Sequence, residues 1–201
     1  MIEVERNFDL REGEKEKLIE GAKFLGKKEF TDVYFDTNDL KLSLNDHWLR
    51  TRDGKWELKV PLNKDKMAVD RKTDQYREIE DEKQILLELN LDLENLTASL
   101  TDKGYEPIAT IKTTRESYQN GEFHLDFDET NFEYDTSEVE LLVNDISEIQ
   151  MAEQKIMDFA ESFGLSKEKG RGKLTVYLER FKPEIFEPLV KAGIIKPVTK
   201  N

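Results

Sequence analysis

Cysteine is absent from the 201 residues, and histidine occurs only twice, at His47 and His124. The first absence excludes a disulfide framework, thiolate zinc sites and cysteine nucleophiles; the second leaves too few imidazoles for a histidine-rich metal centre. No apolar run approaches the roughly 20 residues that span a bilayer. Met1-Ile2-Glu3-Val4-Glu5-Arg6 has no secretory-leader pattern either. A soluble cytoplasmic protein with no membrane partner is therefore expected. Basic charge is also short: the net charge is −13, which argues against a nucleic-acid-binding surface. Pro/Gly/Ser-rich linkers are missing, so residues 1–201 are expected to form a single domain.

Charged residues make up 37% of the chain, against about 25% in an average protein. The apolar residues are patterned and include 11 Phe, 6 Tyr and 2 Trp, so disorder is not expected. Strand-like segments cover 2–8, 31–36, 74–80 and 132–143, with a further strand expected over 173–181. Segments 46–52 and 55–61 form a hairpin around Asp53-Gly54, and 106–118 pairs with 122–127 across Asn120-Gly121. Helices are expected over 10–25, 81–90, 92–104 and 147–163, and from Pro183 onward, where proline suits the first turn. About eight antiparallel strands avoid bare edges best by closing. The expected fold is α+β: a closed eight-stranded antiparallel β-barrel with helices packed outside.

Strand parity locates the charges. Glu3, Glu5 and Asn7 share one face of the first strand, with Ile2, Val4 and Arg6 on the other. Trp48, Arg50 and Arg52 align, as do Glu57 with Lys59, Asp126 with Asp128, and Glu138 with Glu140; the segment from Lys173 reads the same way. One wet face accounts for such alternation in any single strand. Five strands that each gather full charges on one face point instead to a lumen, which in a barrel of this size holds one small ligand. Glu3, Glu5, Asp126, Glu138 and Glu140 offer hard oxygen ligands suited to Mg²⁺ or Mn²⁺. Arg50, Arg52, Lys59, Arg115 and Lys173 suit a phosphate chain. A metal-bound polyphosphate would satisfy both sets; internal arginine–carboxylate pairing without a ligand is the alternative.

Glu3-Val4-Glu5 resembles the ExExK signature of the CYTH superfamily, the triphosphate tunnel metalloenzymes. The wider pattern follows in order: Tyr34-Phe35-Asp36-Thr37, Asp46-His47-Trp48-Leu49-Arg50, Trp56-Glu57-Leu58-Lys59, Asp126-Phe127-Asp128, Glu138-Val139-Glu140 and Lys173-Leu174-Thr175-Val176-Tyr177-Leu178. The resemblance runs from residue 2 to about 186 and is strongest to the superfamily's thiamine triphosphatase branch. It implies an eight-stranded tunnel, Mg²⁺ on the five carboxylates, phosphates on the five cations, and hydrolysis of a small triphosphate; a monomer is expected. Other members imply alternatives: a general tripolyphosphatase, a class IV-type adenylate cyclase, or a binding module without turnover.

One departure stands out, because Asn7 occupies the place of the signature lysine and Arg6 has the wrong parity to replace it. In that branch the lysine acts with a tyrosine, matched here by Tyr34, a candidate for proton handling. Trp48, on the Arg50 face, is a candidate to stack on the cationic thiazolium. His47 is expected to point outward, whereas His124 shares the Asp126 face, either as a neighbour of the site or without a role. Gly170-Arg171-Gly172-Lys173 lacks the Walker spacing and no helix is expected after it, so it is not read as a phosphate loop.

Overall fold

Residues that alternate between apolar and charged can bury only one face of a strand, and the barrel follows from that constraint. The computed structural model describes residues 1–62, 67–92 and 95–196. Its strands are β1 (Ile2–Phe8), β2 (Lys23–Asp36), β3 (Trp48–Arg52), β4 (Lys55–Pro61), β5 (Asp74–Ile79), β6 (Glu106–Asn120), β7 (Phe123–Thr130) and β8 (Asp135–Val143). They run in the order β1-β5-β4-β3-β2-β6-β7-β8, all antiparallel, and β8 returns to β1 to close the barrel. Asp53 (φ 49) and Gly54 (φ 80) take the left-handed conformations that a tight hairpin turn needs between β3 and β4.

Helices cover the apolar outer faces. Helix α1 is Glu14–Ile19, and α4 (Ile149–Ser162) lays Ile149, Ala152, Ile156 and Ala160 on Ile2, Val4, Leu125, Val139 and Leu141. Helix α2 (Glu82–Glu88) is capped by the Asp81 side chain and α3 (Leu96–Asp102) by Asn95. Together they bury Ile85, Leu86, Leu96 and Leu100 against Leu49, Leu58, Val60 and Ile79. With these faces turned outward, parity leaves the charged faces no place but the lumen. No helix among the described residues is long and apolar enough to cross a membrane.

Two expectations are corrected. The helix expected over 10–25 shrinks to α1: Gly21 sits at φ 73, and from Lys23 the chain belongs to β2, which pairs with β6 from Lys23↔Gln119 onward. A local helical pattern here yields to a long-range ribbon. The strand expected over 173–181 is helix α5 (Lys173–Phe181). Its apolar residues also fit helical spacing, with Leu174/Leu178 and Tyr177/Phe181 as i,i+4 pairs, and a closed barrel has no edge for another strand. Helix α6 (Pro183–Lys191) opens with proline as expected. Leu178 of α5, Phe186 and Leu189 of α6, and Ile195 beyond it pack against Trp48, covering the barrel end where β3 begins. Residues 93 and 94 of the expected 92–104 helix, and 63–66 and 197–201 of the expected domain, lie outside the described residues.

Candidate functional site

Every side chain singled out from the sequence as metal-binding, phosphate-binding or catalytic lines one cavity of about 730 Å³ inside the barrel. Strand order divides them into two walls. Glu3, Glu5, Asp126, Glu138 and Glu140 lie on the consecutive strands β7, β8 and β1. Lys59 lies on β4, Arg50 and Arg52 on β3, and Arg115 on β6, on the other side. An acidic wall therefore faces a basic one. Lys173 joins the basic side from the first residue of α5, so its place in the lumen stands although the strand that was expected to deliver it is a helix.

The basic wall is internally paired. Arg52 donates to both carboxylate oxygens of Asp32, from Nε at 2.8 Å and from Nη2 at 3.1 Å. Arg50 pairs with Glu57 and lies 3.8 Å from Asp32. Arg115 grips Asp128 at 2.5 and 2.7 Å, contacts Asp126, and reaches Glu138 at 3.2 Å. Lys173 Nζ donates to Asp128 at 2.7 Å and lies 3.5 Å from Asp32. Asp32 and Asp128 are thus the buried anchors of the cations, at 0% and 2% exposure. Asp32 was not singled out from the sequence, and Asp128 only as a member of its face; for Asp32, its shared parity with Tyr34 was the available signal.

Burial pushes the Asp32 carboxyl upward, but the Arg52 hydrogen bonds and the Arg50 and Lys173 charges outweigh it, lowering it from 3.8 to about 2. A depressed carboxylate stabilises the fold fully above its unfolded pKa, and that contribution is lost as pH falls through the folded value. Asp32→Asn should therefore be less stable than the parent at neutral pH. The gap should narrow as pH falls from about 4 to about 2, as measured by urea unfolding at stepped pH; a constant gap would refute the assignment.

The acidic wall is built differently. Register sets Glu5 directly opposite Glu140 on one side and Asp74 on the other, and Asp126 opposite Glu138. Like charges in directly opposed positions repel. Burial, then Glu138, Asp74 and Glu140 working against Lys59, push Glu5 up to about 7. Glu3 is raised by burial and Glu5, and Glu140 is raised chiefly by burial. Lys59 is the cation they share, with Nζ 2.6 Å from Glu3, 3.1 Å from Glu5 and 3.3 Å from Glu78. Asp126 is held at about 2: burial opposes this, but hydrogen bonds from His124 and Ser117 and the Arg115 charge prevail. His124 stands 3.0 Å from Asp126 Oδ1, so it adjoins the site and orients that carboxylate.

Among the described residues no three acidic or imidazole groups close into a ligand shell as they stand. Lys59 engages Glu3 and Glu5, and Arg115 engages Asp126 and Glu138. The donor set nonetheless fits a hard divalent cation, because the opposed carboxylates carry more negative charge than these two side chains offset. Pairing without a ligand thus describes the basic wall and leaves the acidic wall short of positive charge.

Tyr34 is buried, and its hydroxyl accepts from Arg50 Nη1 at 3.3 Å; burial raises its pKa, so the phenol stays protonated. Trp48 lines the cavity while its indole N–H donates to Asp46 at 3.0 Å and Tyr76 at 3.3 Å. The β1–β8 register is unbroken from Ile2 to Phe8, so Asn7 faces the lumen and Arg6 faces outward, donating to the carbonyls of Lys72 and Lys167. His47 hydrogen-bonds the Asn45 carbonyl through Nδ1, outside the cavity. Contrary to expectation, Gly170-Arg171-Gly172 does lead into a helix, α5; the Walker spacing is still missing.

Residues 1–171 match the CYTH domain. The thiamine-triphosphatase of Homo sapiens is 32% identical over 212 residues, covering 96% of this chain and 91% of that protein. Among solved structures, a Pyrococcus horikoshii protein superposes with TM-score 0.63 at 24% identity, covering 89% of this chain and 99% of that one. A putative adenylyl cyclase from Hippeastrum with a dominant triphosphatase activity gives 0.54 at 16% identity, covering 89% and 95%. The two likenesses concern the fold, and the family match across most of the length establishes that this chain belongs to the CYTH family.

Proposed function

We propose that this protein hydrolyses the terminal phosphate of thiamine triphosphate, releasing thiamine diphosphate and phosphate. The observation that carries the reading is the opposition of the two walls in one lumen: a ligand combining a divalent cation with a linear polyanion satisfies both. The human thiamine-triphosphatase, alike over nearly the full chain, supports the choice of substrate. The reading is of a monomeric cytoplasmic enzyme acting as one unit, since α5 and the segment after α6, with Ile194 and Ile195, contribute to the same cavity as the strands.

Glu3, Glu5, Asp126, Glu138 and Glu140 would hold Mg²⁺, with Mn²⁺ as a substitute, and His124 would orient Asp126. The bound metal supplies charge neutralisation on the phosphoryl oxygens. Arg50, Arg52, Arg115 and Lys173 align the phosphate chain, each pre-set by Asp32, Glu57 or Asp128. Lys59, bonded to Glu3 and Glu5, would also offer its ammonium group to the phosphate chain. Tyr34, being protonated, donates a hydrogen bond and takes no proton. Water attacks the terminal phosphorus in line, so catalysis is positioning plus electrostatics. Trp48 offers its ring to the thiazolium.

A second reading, a polyphosphate-binding tunnel with no turnover, is favoured by the neutral Asn7. Phosphate release in Mg²⁺ from thiamine triphosphate, tripolyphosphate and ATP separates the readings. Thiamine triphosphate is expected to lead, by about 2- to 30-fold in kcat/KM if a cation–π contact sets the preference. Trp48→Ala should then erase the preference. Equal rates would indicate a general tripolyphosphatase, and binding without release would favour the second reading.

A further inference from the structure

Beside Asn7 the barrel wall changes material. β5 pairs with β1 only as far as Asp74, opposite Glu5, whereas β8 continues to Phe8. The stretch before α5 fills the remaining side. Gly170 N–H donates to the Asn7 carbonyl at 2.8 Å. A Cβ on Gly170 would stand 2.7 to 2.8 Å from backbone atoms of Phe8 and Asp9, so only glycine permits this approach. Arg6 clamps the same stretch from outside through the Lys167 carbonyl at 2.7 Å, and Tyr134 donates to the Arg171 carbonyl at 2.8 Å. The loop is thereby pinned as a section of wall.

Lys169, next to Gly170, enters the cavity from this section, and its Nζ donates to Asp74 Oδ1 at 2.6 Å. Its surroundings are anionic: Asp74 stands opposite Glu5, and Asn7 stands opposite Glu138. Asn7 contributes only an amide, whose oxygen accepts from Thr136 at 3.2 Å. We infer that Lys169 is a substrate-binding residue, supplying from the loop the positive charge that position 7 lacks. It is held by Asp74 and turns onto the phosphate chain when that chain enters; a flexible four-carbon stem allows the swing. The inference rests on the triphosphate reading above.

The test compares Lys169→Met, Lys169→Arg and Lys169→Met/Asn7→Lys with the parent. Lys155→Met, which removes an exposed lysine paired with Glu122, controls for lost charge. Lys169→Met is expected to raise KM for tripolyphosphate about tenfold, the scale of one charge-assisted hydrogen bond. Lys169→Arg should stay within about threefold, and Asn7→Lys should recover most of the loss if the two positions serve one slot. Lys155→Met should match the parent. A Lys169→Met enzyme within twofold of the parent, or a folded double variant without recovery, overturns the inference. If the parent releases no phosphate, the function reading fails separately, and the same variants are titrated calorimetrically with tripolyphosphate. A tenfold weaker Kd for Lys169→Met then sustains the inference; an unchanged Kd, or no binding to the parent, overturns it.

Discussion

Glu140→Gln is expected to lower Mg²⁺-dependent turnover by about 10²- to 10³-fold, comparable to removing one preorganised electrostatic contact, while the metal-free protein becomes no less stable. The two effects share one cause. Glu140 lies opposite both Glu5 and His124, and burial raises its pKa. Glutamine keeps the shape and removes one of two opposed negative charges, so the barrel without metal is relieved, while a proposed Mg²⁺ ligand would be lost. Mg²⁺ at about 100 times its Kd should raise the parent's Tm by roughly 5–10 °C and the variant's by far less. Parallel calorimetric scans with Mg²⁺ and with chelator check this. A variant that loses stability and activity together, with an undiminished Mg²⁺ shift, would make Glu140 a structural residue.

Asp128→Asn should have the opposite signature. Asp128 is almost fully buried and receives Arg115 through two bonds and Lys173 through a third. Neutralising it leaves buried cations under-compensated, which costs about 3–5 kcal/mol and lowers Tm by roughly 6–20 °C for a chain of this size. Tripolyphosphate should narrow the gap, because its oxygens replace the lost partner of Arg115 and Lys173. Urea unfolding with and without tripolyphosphate measures both quantities. A loss below about 1 kcal/mol would place Asp128 among ordinary exposed pairs.

The candidate site was legible to an unusual depth because its residues sit on strands. Glu3 with Glu5, Arg50 with Arg52 and Glu138 with Glu140 repeat every second residue, and that spacing marks a common face without knowledge of the neighbours. Lys173 shows where the method gives out. Leu174, Val176 and Leu178 alternate like a strand, while Leu174/Leu178 and Tyr177/Phe181 repeat like a helix; barrel closure elsewhere decided between them. Asp32 escaped because a buried counter-ion carries no mark apart from its parity. Lys169 escaped because a loop has no parity at all, and its lumen position depends on Gly170 lying against Phe8.

The charged faces and the apolar faces, the turn at Asp53-Gly54 and the stripe of α4 were determined by the sequence alone, because each follows from dihedral preferences and side-chain direction within a few residues. The tertiary structure decided which faces oppose one another. β1 pairs with β5 and with β8, and β2 pairs with β6, each across more than 60 residues of chain. The β1–β8 ladder sets acidic strands side by side, and the β2–β6 ladder brings Arg115 round towards the cations of β3, turning separate charged faces into two walls. They also decided what replaces the charge missing at Asn7, since the end of β5 leaves the opening through which the Lys169 loop reaches the lumen.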